Sequence, residues 1–334
     1  MLRFVLRRLA LMIPVLVGLS IMLFAWVRAL PGDPARSLLG ERATPEGIER
    51  VNEAYGFDKP VLQQYLLYVK ALLQGDFGSS IHTGQEVVDS FLEKFPATLE
   101  LAIAAMLLAV VVGIPLGYLA ARHQGRPLDT ILVSGSLLGV VTPVFFLAIL
   151  LKLVFAQWLG WLPTALRQDP RIDATHPTGF YVLDGFITRE YDAAWDAILH
   201  LILPALALGA IPLAIIVRIT RASVAEVMHE DYVRTAESKG LSRGVISRRH
   251  ILRNALLPVV TTIGLQAGLL FSGAVLTETV FAWNGIGAYL FEAIQQRDYP
   301  VLQGFIIFIA ITYSLINLAV DVAYGVIDPR VRVS

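Results

Sequence analysis

The chain has 334 residues, of which 56% are apolar, 27 are basic, 27 are acidic and none is cysteine. Its mean hydropathy of +0.64 is too high for a soluble domain of this length and predicts an integral membrane protein. Without cysteine the chain has no disulfide and no thiolate metal site.

Six windows free of charged residues predict six transmembrane helices in an all-α fold, because about 20 apolar residues cross the hydrocarbon as a helix. Each window holds 19 to 24 residues: 9–27, 101–121, 130–151, 197–217, 254–277 and 299–320. The first is longer than the apolar region of a signal peptide, and no small-x-small cleavage site follows it. Residues 1–30 are therefore expected to form an N-terminal segment and a retained first helix.

The distribution of Lys and Arg predicts the orientation of the spans. The segments expected in the cytoplasm are 1–8, 122–129, 218–253 and 321–334, and the outer segments are 28–100, 152–196 and 278–298. The cytoplasmic set carries 15 Lys and Arg in 66 residues, whereas the outer set carries 12 in 139. This asymmetry follows the positive-inside rule and places both termini in the cytoplasm.

The first outer segment, residues 31–97, is predicted to be a helical extracytoplasmic insertion. One helix should start at Thr44-Pro45-Glu46, a typical helix start signal. A second should run from Pro60 to Leu73 and break at Gly75. Residues 98–334 form the predicted core with spans two to six, in which 159–196, rich in Pro, Asp and Gly, is interpreted as an ordered outer loop.

A basic stretch at residues 218–253 separates spans four and five and carries eight Lys and Arg. It is too charged for hydrocarbon, so we expect it in the cytoplasm. A short helix from about Asp231 to Lys239, ended by Gly240, and a second helix leading into span five fit the pattern. From composition alone, the first helix either docks in a groove of a soluble partner or lies on anionic lipid.

The motifs of several enzyme classes are missing or out of context. None of the five lysines follows a glycine, so the chain has no GxxxxGK phosphate loop. HExxH is absent as well. Gly240-Leu-Ser-Arg-Gly244 matches GxSxG, but that motif works only on a strand-turn-helix elbow, whereas here it lies in a helix-compatible loop. We therefore expect no catalytic residue, no metal site and no bound cofactor.

Charged residues near the spans fall into two groups. Arg28, Glu100 and Lys152 lie at predicted span ends, where side chains usually reach the interface. Glu278 and Asp321 lie deeper, and each either contacts a transported solute or bonds to a neighbouring helix or to Arg330. No charge lies at a span centre, which argues against a proton-coupled carrier.

Three glycine pairs would allow close helix contact, although such pairs also arise by chance in apolar helices. They are Gly113-x-x-x-Gly117, Gly135-x-x-x-Gly139 and Gly264-x-x-x-Gly268.

The basic stretch resembles the EAA loop of ATP-binding-cassette (ABC) importer permeases. The family pattern has Glu-Ala-Ala, three further residues and a glycine. Arg234-Thr235-Ala236 stands at the position of Glu-Ala-Ala, Gly240 at that of the glycine, and Leu257-Pro258 at that of the pair that closes the loop. The spacing from glycine to proline is similar to that of the dipeptide, oligopeptide and nickel branch.

Further motifs of that branch cover nearly the whole chain. They are Leu30-Pro-Gly-Asp-Pro34, Phe57-Asp-Lys-Pro60, Gln64-Tyr65, Gly75-Asp-Phe-Gly78, Pro96-Ala-Thr-Leu-Glu100, Leu276-Thr-Glu-Thr-Val-Phe281, Arg297-Asp-Tyr-Pro300 and Asp328-Pro-Arg330. The long loop between spans three and four is similar to that of the B-type dipeptide permeases.

The resemblance implies one subunit of a type I importer in a bacterial or archaeal cytoplasmic membrane. The partners would be a homologous second permease, two ATPases that hold ATP and Mg²⁺, an extracytoplasmic solute-binding protein and membrane lipid, with no nucleic acid. The implied cargo is a dipeptide or short oligopeptide, with nickel, haem or glutathione as the alternative. A carrier or channel that works without an ATPase is the alternative from another class.

The resemblance also assigns candidate sites. The helix around Arg234–Leu241 would be the coupling helix, with a small face formed by Ala236 and Gly240. The implied ATPase-coupling residues are Asp231, Arg234, Thr235, Ala236, Glu237, Lys239, Gly240, Leu241 and Arg243. The implied binding-protein contact or gate residues, which could equally form an interfacial belt, are Phe281, Trp283, Tyr289 and Phe291.

Overall fold

The computed structural model of the chain describes residues 2–29, 39, 43–55 and 59–327. Within them the structure is helical, and the only β pairing is an isolated bridge between Ser79 and Glu86. The helices are α1 (Leu2–Arg28), α2 (Pro45–Tyr55), α3 (Val61–Leu73), α4 (Val87–Arg122), α5 (Pro127–Val141), α6 (Val144–Leu151), α7 (Tyr181–Ile187), α8 (Tyr191–Val227), α9 (Asp231–Ser238), α10 (Arg253–Phe281), α11 (Ile286–Gln296) and α12 (Tyr299–Ile327). Two π-helical segments, Lys152–Trp158 and Ile246–Leu252, continue α6 and lead into α10.

Four of the described helices contain segments long and apolar enough to cross a membrane: Leu6–Trp26, Val87–Arg122, Tyr191–Val227 and Tyr299–Leu318. Two bent helix pairs bring the possible number to six if each pair is one span. One of these pairs joins Pro127–Val141 to Val144–Trp158 with a bend of 106°. Pro143 lies at this break, and the backbone of Thr142 before it is extended, as expected for a residue that precedes proline.

The chain divides into two compact units, residues 1–95 with 285–334 and residues 96–284. In the first unit, α12 contacts α1 through a hydrogen bond from Gln303 Nε2 to the Leu23 carbonyl (3.0 Å). The loop after α3 is fixed by Ser80, whose hydroxyl donates to Asp298 Oδ2 at 2.6 Å. The core of this unit consists of Val87, Phe91, Ile286, Leu290, Ala293, Val301, Leu302 and Phe305.

The two helices predicted within residues 31–97 are present. The amide of Gly47 donates to Thr44 Oγ1 at 3.1 Å, which caps α2. The second helix, α3, ends before Gly75, whose φ of +84° favours glycine. The Leu30–Pro34 motif, the Phe57-Asp58 part of the next motif, the Asp328–Arg330 motif and the side chain of Asp321 lie outside the described residues.

In the second unit, α4 and α8 pack closely where α4 has glycines. A Cβ on Gly117 would come within 2.6 Å of the Val217 carbonyl oxygen, and one on Gly113 within 3.0 Å of Ile216. The first predicted glycine pair therefore forms a helix contact. In the second pair only Gly139 does so, against the backbone of Ala210, while Gly135 faces open space.

The prediction of a loop over 159–196 is wrong for its second half. Residues 181–187 form α7, and α8 starts at Tyr191, before the predicted span. A buried polar contact and a close helix contact stabilise this hairpin. Asp184, fully buried, accepts a hydrogen bond from Thr178 Oγ1 at 2.5 Å, and a Cβ on Gly185 would lie 2.7 Å from the backbone nitrogen of Ala194. Such contacts are tertiary and leave no periodic signal in the sequence.

Candidate functional site

The short helix α9 is attached to the second unit by its apolar side. Val233 and Ala236 are 2% and 5% exposed and pack with residues of α4, α8 and the start of α10. The cluster contains Ala121, Val224, Val233, Ala236, Ile246, Ile251 and Ala255. This placement corrects the expectation that Ala236 belongs to a small outward face, because its methyl group points into the protein's own core.

The opposite side of α9 and the turn after it are exposed and, apart from Gly240 and Leu241, polar. We call this set the polar face: Asp231, Arg234, Thr235, Glu237, Lys239, Gly240, Leu241 and Arg243. Its only ion pair among the described residues joins Arg234 to Asp231 at 3.6 Å, and both side chains are largely in solvent. Such an exposed pair contributes little to stability, so these charges remain available to a partner.

The C-terminal end of α9 is closed by a Schellman motif. The amide of Leu241 donates to the Ala236 carbonyl (3.3 Å) and the amide of Gly240 to the Glu237 carbonyl (2.9 Å). Gly240 has φ +74° and no atom within 4 Å of where a Cβ would be. The predicted helix stop at Gly240 is confirmed, and the glycine is required by its backbone conformation.

Two side-chain contacts join the basic stretch to the start of α10 and to α4. Asn254 Nδ2 donates to the hydroxyl of Tyr232 at 3.0 Å, and the Tyr118 and Ser247 hydroxyls lie 2.6 Å apart. Ser247 lies in the π-helical turn Ile246–Leu252, a helix irregularity frequent at functional sites. Helical residues from Arg243 onward lead into α10, as predicted.

A buried ion pair that the sequence does not predict joins α8 to α5. Arg221, in the C-terminal part of α8, donates through Nε to Asp129 Oδ1 (2.5 Å) and through Nη2 to Oδ2 (2.6 Å). Asp129 is 4% exposed and also accepts the Gly125 amide at 3.0 Å. The two residues are 92 positions apart, so only the fold shows that they meet.

Phe281 and Trp283 lack the exposure that contact with a binding protein requires, because each is 1% exposed. The reason is the helix end: Ala282 adopts φ +48°, and the Trp283 amide turns back to the Glu278 carbonyl at 2.8 Å. The indole is thereby folded inward, where Nε1 donates to the Ala97 carbonyl at 2.8 Å.

The other two predicted aromatic residues lie on α11 in the first unit. Tyr289 is partly buried, with its ring centroid 5.1 Å from that of Phe305. Phe291 is 38% exposed, and of the four it alone retains the exposure that a contact residue requires.

The charged residues near the predicted spans form hydrogen bonds or ion pairs within the protein. Glu278 is fully buried and accepts a hydrogen bond from Thr98 Oγ1 at 2.6 Å, which agrees with the interpretation of a bond to a neighbouring helix. Glu100 does not reach the interface as expected, because it forms a buried ion pair with Arg167 (2.6 Å). Lys152 also turns inward and donates to the Val280 carbonyl at 3.0 Å.

The GxSxG match at Gly240–Gly244 does not have the backbone geometry of a catalytic serine turn. Gly240 follows the helix α9, whereas a nucleophile elbow needs a strand before the turn. No group of three or more His, Asp or Glu side chains in the described residues is arranged to hold a metal ion.

Comparison with known families agrees with this organisation. Residues 113–333 match the family model of binding-protein-dependent transport system inner membrane components, and residues 1–102 match the N-terminal model of the same systems. The chain belongs to this permease family. It is thus a multi-pass protein of the inner membrane.

Individual permeases are similar to the chain over almost its whole length. A dipeptide transport system permease protein of Alkalihalophilus pseudofirmus is 46% identical, over 99% of this chain and 100% of that protein. One of Escherichia coli is 45% identical, over 99% of each. A glutathione transport system permease protein of Escherichia coli is 39% identical, over 99% of each.

Proposed function

We propose that the permease is one of two homologous membrane subunits of an ATP-driven importer for dipeptides or short oligopeptides. A solute-binding protein delivers the cargo, and two partner ATPases that hold ATP and Mg²⁺ drive transport. The observation that carries this proposal is the geometry of α9 within a binding-protein-dependent permease: its apolar side is fixed to the core and its polar face is exposed.

The polar face is the proposed ATPase contact. Arg234, Lys239 and Arg243 can make charge-assisted hydrogen bonds to carboxylates on the ATPase. The packing of Val233 and Ala236 against α4, α8 and α10 allows displacement of α9 to move those helices with it. Closure of the ATPases would in this way switch access to the path between the two sides of the membrane.

The proposed topology has six spans with both termini in the cytoplasm. The two bent pairs of apolar helices support it, since each supplies one span, and so does the excess of Lys and Arg in the segments assigned to the cytoplasm. Residues 31–97 would then be an extracytoplasmic insertion, 159–196 an outer segment, and 218–256 the cytoplasmic coupling loop.

The relatives favour dipeptides over glutathione as cargo, since the dipeptide permeases are more similar to the chain. Glutathione is the second candidate because a permease of that name is 39% identical over the same length. In this architecture the binding protein selects the cargo. Purified binding protein, titrated with dipeptides, tripeptides and glutathione, would therefore separate the candidates.

The assembly is tested by purifying the tagged permease from its native membrane in mild detergent and identifying its partners by mass. We expect two ATPases and a second permease, with a binding protein recovered under gentle conditions. Reconstituted in liposomes, this assembly should import dipeptides only with ATP and the binding protein. Uptake by the permease alone, without ATP, would instead establish a self-sufficient carrier.

The contact itself can be mapped by cross-linking, because the natural chain has no cysteine. A single cysteine in place of Arg243, on the polar face, should cross-link to the ATPase. The matched control is Asp173→Cys, which replaces an exposed residue of the 159–196 segment and should give no ATPase product. Equal cross-linking at both positions would reject the proposed contact.

A further inference from the structure

The hairpin formed by α7 and the start of α8 exposes large apolar side chains to the outside of the protein. A helix on the surface of a soluble protein turns its apolar side inward instead. Five large apolar side chains are 50–62% exposed. We call them the apolar ridge: Leu183, Phe186, Ile187, Tyr191 and Trp195. In α7 the exposed residues follow the i, i+3, i+4 spacing of one helix face. The polar residue of that helix, Asp184, is fully buried.

The buried side explains why the ridge faces outward. Asp184 accepts hydrogen bonds from the Thr178 amide and hydroxyl. The Val182 amide donates to Glu100 Oε1 at 2.9 Å, and Gly185 lies directly against Ala194. These contacts fix the rotation of α7 about its axis. The exposed apolar face is therefore built into the fold.

Position along the chain indicates what covers the ridge. Trp195 lies two residues and Tyr191 six residues before the charge-free window that begins at Ala197, in the same continuous helix. At 1.5 Å per residue these are about 3 Å and about 9 Å from the start of the apolar span. The headgroup region occupies about that depth, so side chains at these positions of α8 would lie at the level of the lipid headgroups.

The residue types also fit the membrane interface. Trp and Tyr are enriched there because their rings are apolar and their polar atoms need water. Arg189 is exposed at the turn between α7 and α8, where its guanidinium can bind lipid phosphate. Asp192, the exposed acid beside it, can stay hydrated at this depth.

We propose that the apolar ridge lies in the interfacial layer of the bilayer, so that α7 is a membrane-surface helix which anchors the 159–196 segment to lipid. Phe186, Ile187 and Leu183 enter the acyl boundary, while Arg189 binds headgroup phosphate. A protein partner, whether the second permease or the binding protein, is the competing occupant that the experiment must exclude.

Spin-label accessibility distinguishes lipid, water and protein. Phe186→Cys and Trp195→Cys are labelled separately in the assembled importer in bilayers, and Asp173→Cys is the water-exposed control. Oxygen concentrates in lipid, and a nickel chelate stays in water. We expect a higher ratio of oxygen to nickel collisions at 186 and 195 than at 173.

Either of two results would overturn the proposal. A ratio at 186 and 195 equal to that at 173 would place the ridge in water. Low collision rates with both reagents at 186 and 195 would show that a protein partner covers it. The two positions lie on different helices and each variant changes one exposed side chain. ATP-driven uptake by each labelled importer checks that the hairpin has folded.

Discussion

Arg221 donates two parallel hydrogen bonds of 2.5 and 2.6 Å to Asp129. They join the C-terminal part of α8 to the first turn of α5. The carboxylate is 6% exposed and the guanidinium 29%. Because the pair lies one turn before Val224, it fixes the part of α8 on which α9 rests. It therefore stabilises the support of α9, although it does not belong to the polar face.

Removing one partner of this pair should destabilise the permease. Asp129→Ala leaves the Arg221 charge without its acceptor, and breaking a buried pair typically costs about 3–5 kcal/mol. The partial exposure of Arg221 places the expected loss at about 2–3 kcal/mol, because water replaces some of the interaction. The measurement is the thermal unfolding of the purified importer. Arg218→Ala, which removes an exposed arginine one turn away, should unfold at nearly the wild-type temperature.

Gly240 is expected to be replaceable only by residues that accept a left-handed backbone. Gly240→Val should weaken the end of α9 by about 1–2 kcal/mol, because a β-branched residue at φ +74° is strained. The importer should then bind its ATPases less well and transport more slowly. Gly240→Asn should keep most activity, since asparagine tolerates this conformation. Gly244→Ala is the matched control, as its surroundings are equally open without a positive φ.

Bulk at the same position tests the docking surface by comparison with Gly240→Val, which strains the backbone in the same way but adds a smaller side chain. Gly240→Trp should leave membrane insertion intact but detach the ATPases and stop uptake, because the side chain would occupy the space of the partner. Co-purification of the ATPases measures this directly. Wild-type transport by Gly240→Trp would show that the turn after α9 does not face the ATPase.

The sequence predicted the elements that depend on local patterns. The end of α9 at Gly240 and the start of α2 at Thr44 could be recognised from turn and capping residues, and the helix 61–73 from the helical spacing of its apolar residues. Tertiary features could not. Asp129 and Arg221 form their ion pair although 92 positions separate them in the sequence. The burial of Trp283 depends on the left-handed backbone of Ala282, a conformation that alanine rarely adopts and that the sequence therefore does not predict. Likewise the family resemblance implies a docking face that includes Ala236, and the sequence of so short a helix does not show which of its sides packs inward.

Trp283 should behave as a core residue. Trp283→Phe removes the hydrogen bond to the Ala97 carbonyl and should cost about 1 kcal/mol, while Trp283→Ala should cost about 3–5 kcal/mol by leaving a cavity. Both losses would appear in thermal unfolding. Phe291→Ala, at an exposed position, should leave the unfolding temperature unchanged and weaken docking of the binding protein. The reverse pattern would restore the sequence-based assignment of Trp283.

The outer segment is expected to loosen in mild acid through His176. Its ring stacks on Tyr181 with centroids 3.6 Å apart, and Nε2 lies 2.9 Å from Gln168 Oε1. Burial lowers the pKa of His176, nearby Arg167 acts in the same direction, and Asp184, Glu190 and Glu100 oppose them. The native state therefore favours the neutral ring.

The sign of the pH effect follows from that direction. As pH falls below the ordinary histidine value of about 6.5, the unfolded segment takes up a proton before the folded one does, so folding of the segment becomes less favourable. Asp169 stays ionised in this range because its hydrogen bonds with Arg171 hold the pKa of Asp169 at about 2. The protection factors of residues 168–182, that is, their exchange rates corrected for the intrinsic pH dependence, should therefore fall between pH 7 and pH 5. His176→Gln keeps a polar side chain without a titrating ring, and its exchange, corrected for the intrinsic pH dependence, should be flat. If wild type and variant respond alike, another group is responsible.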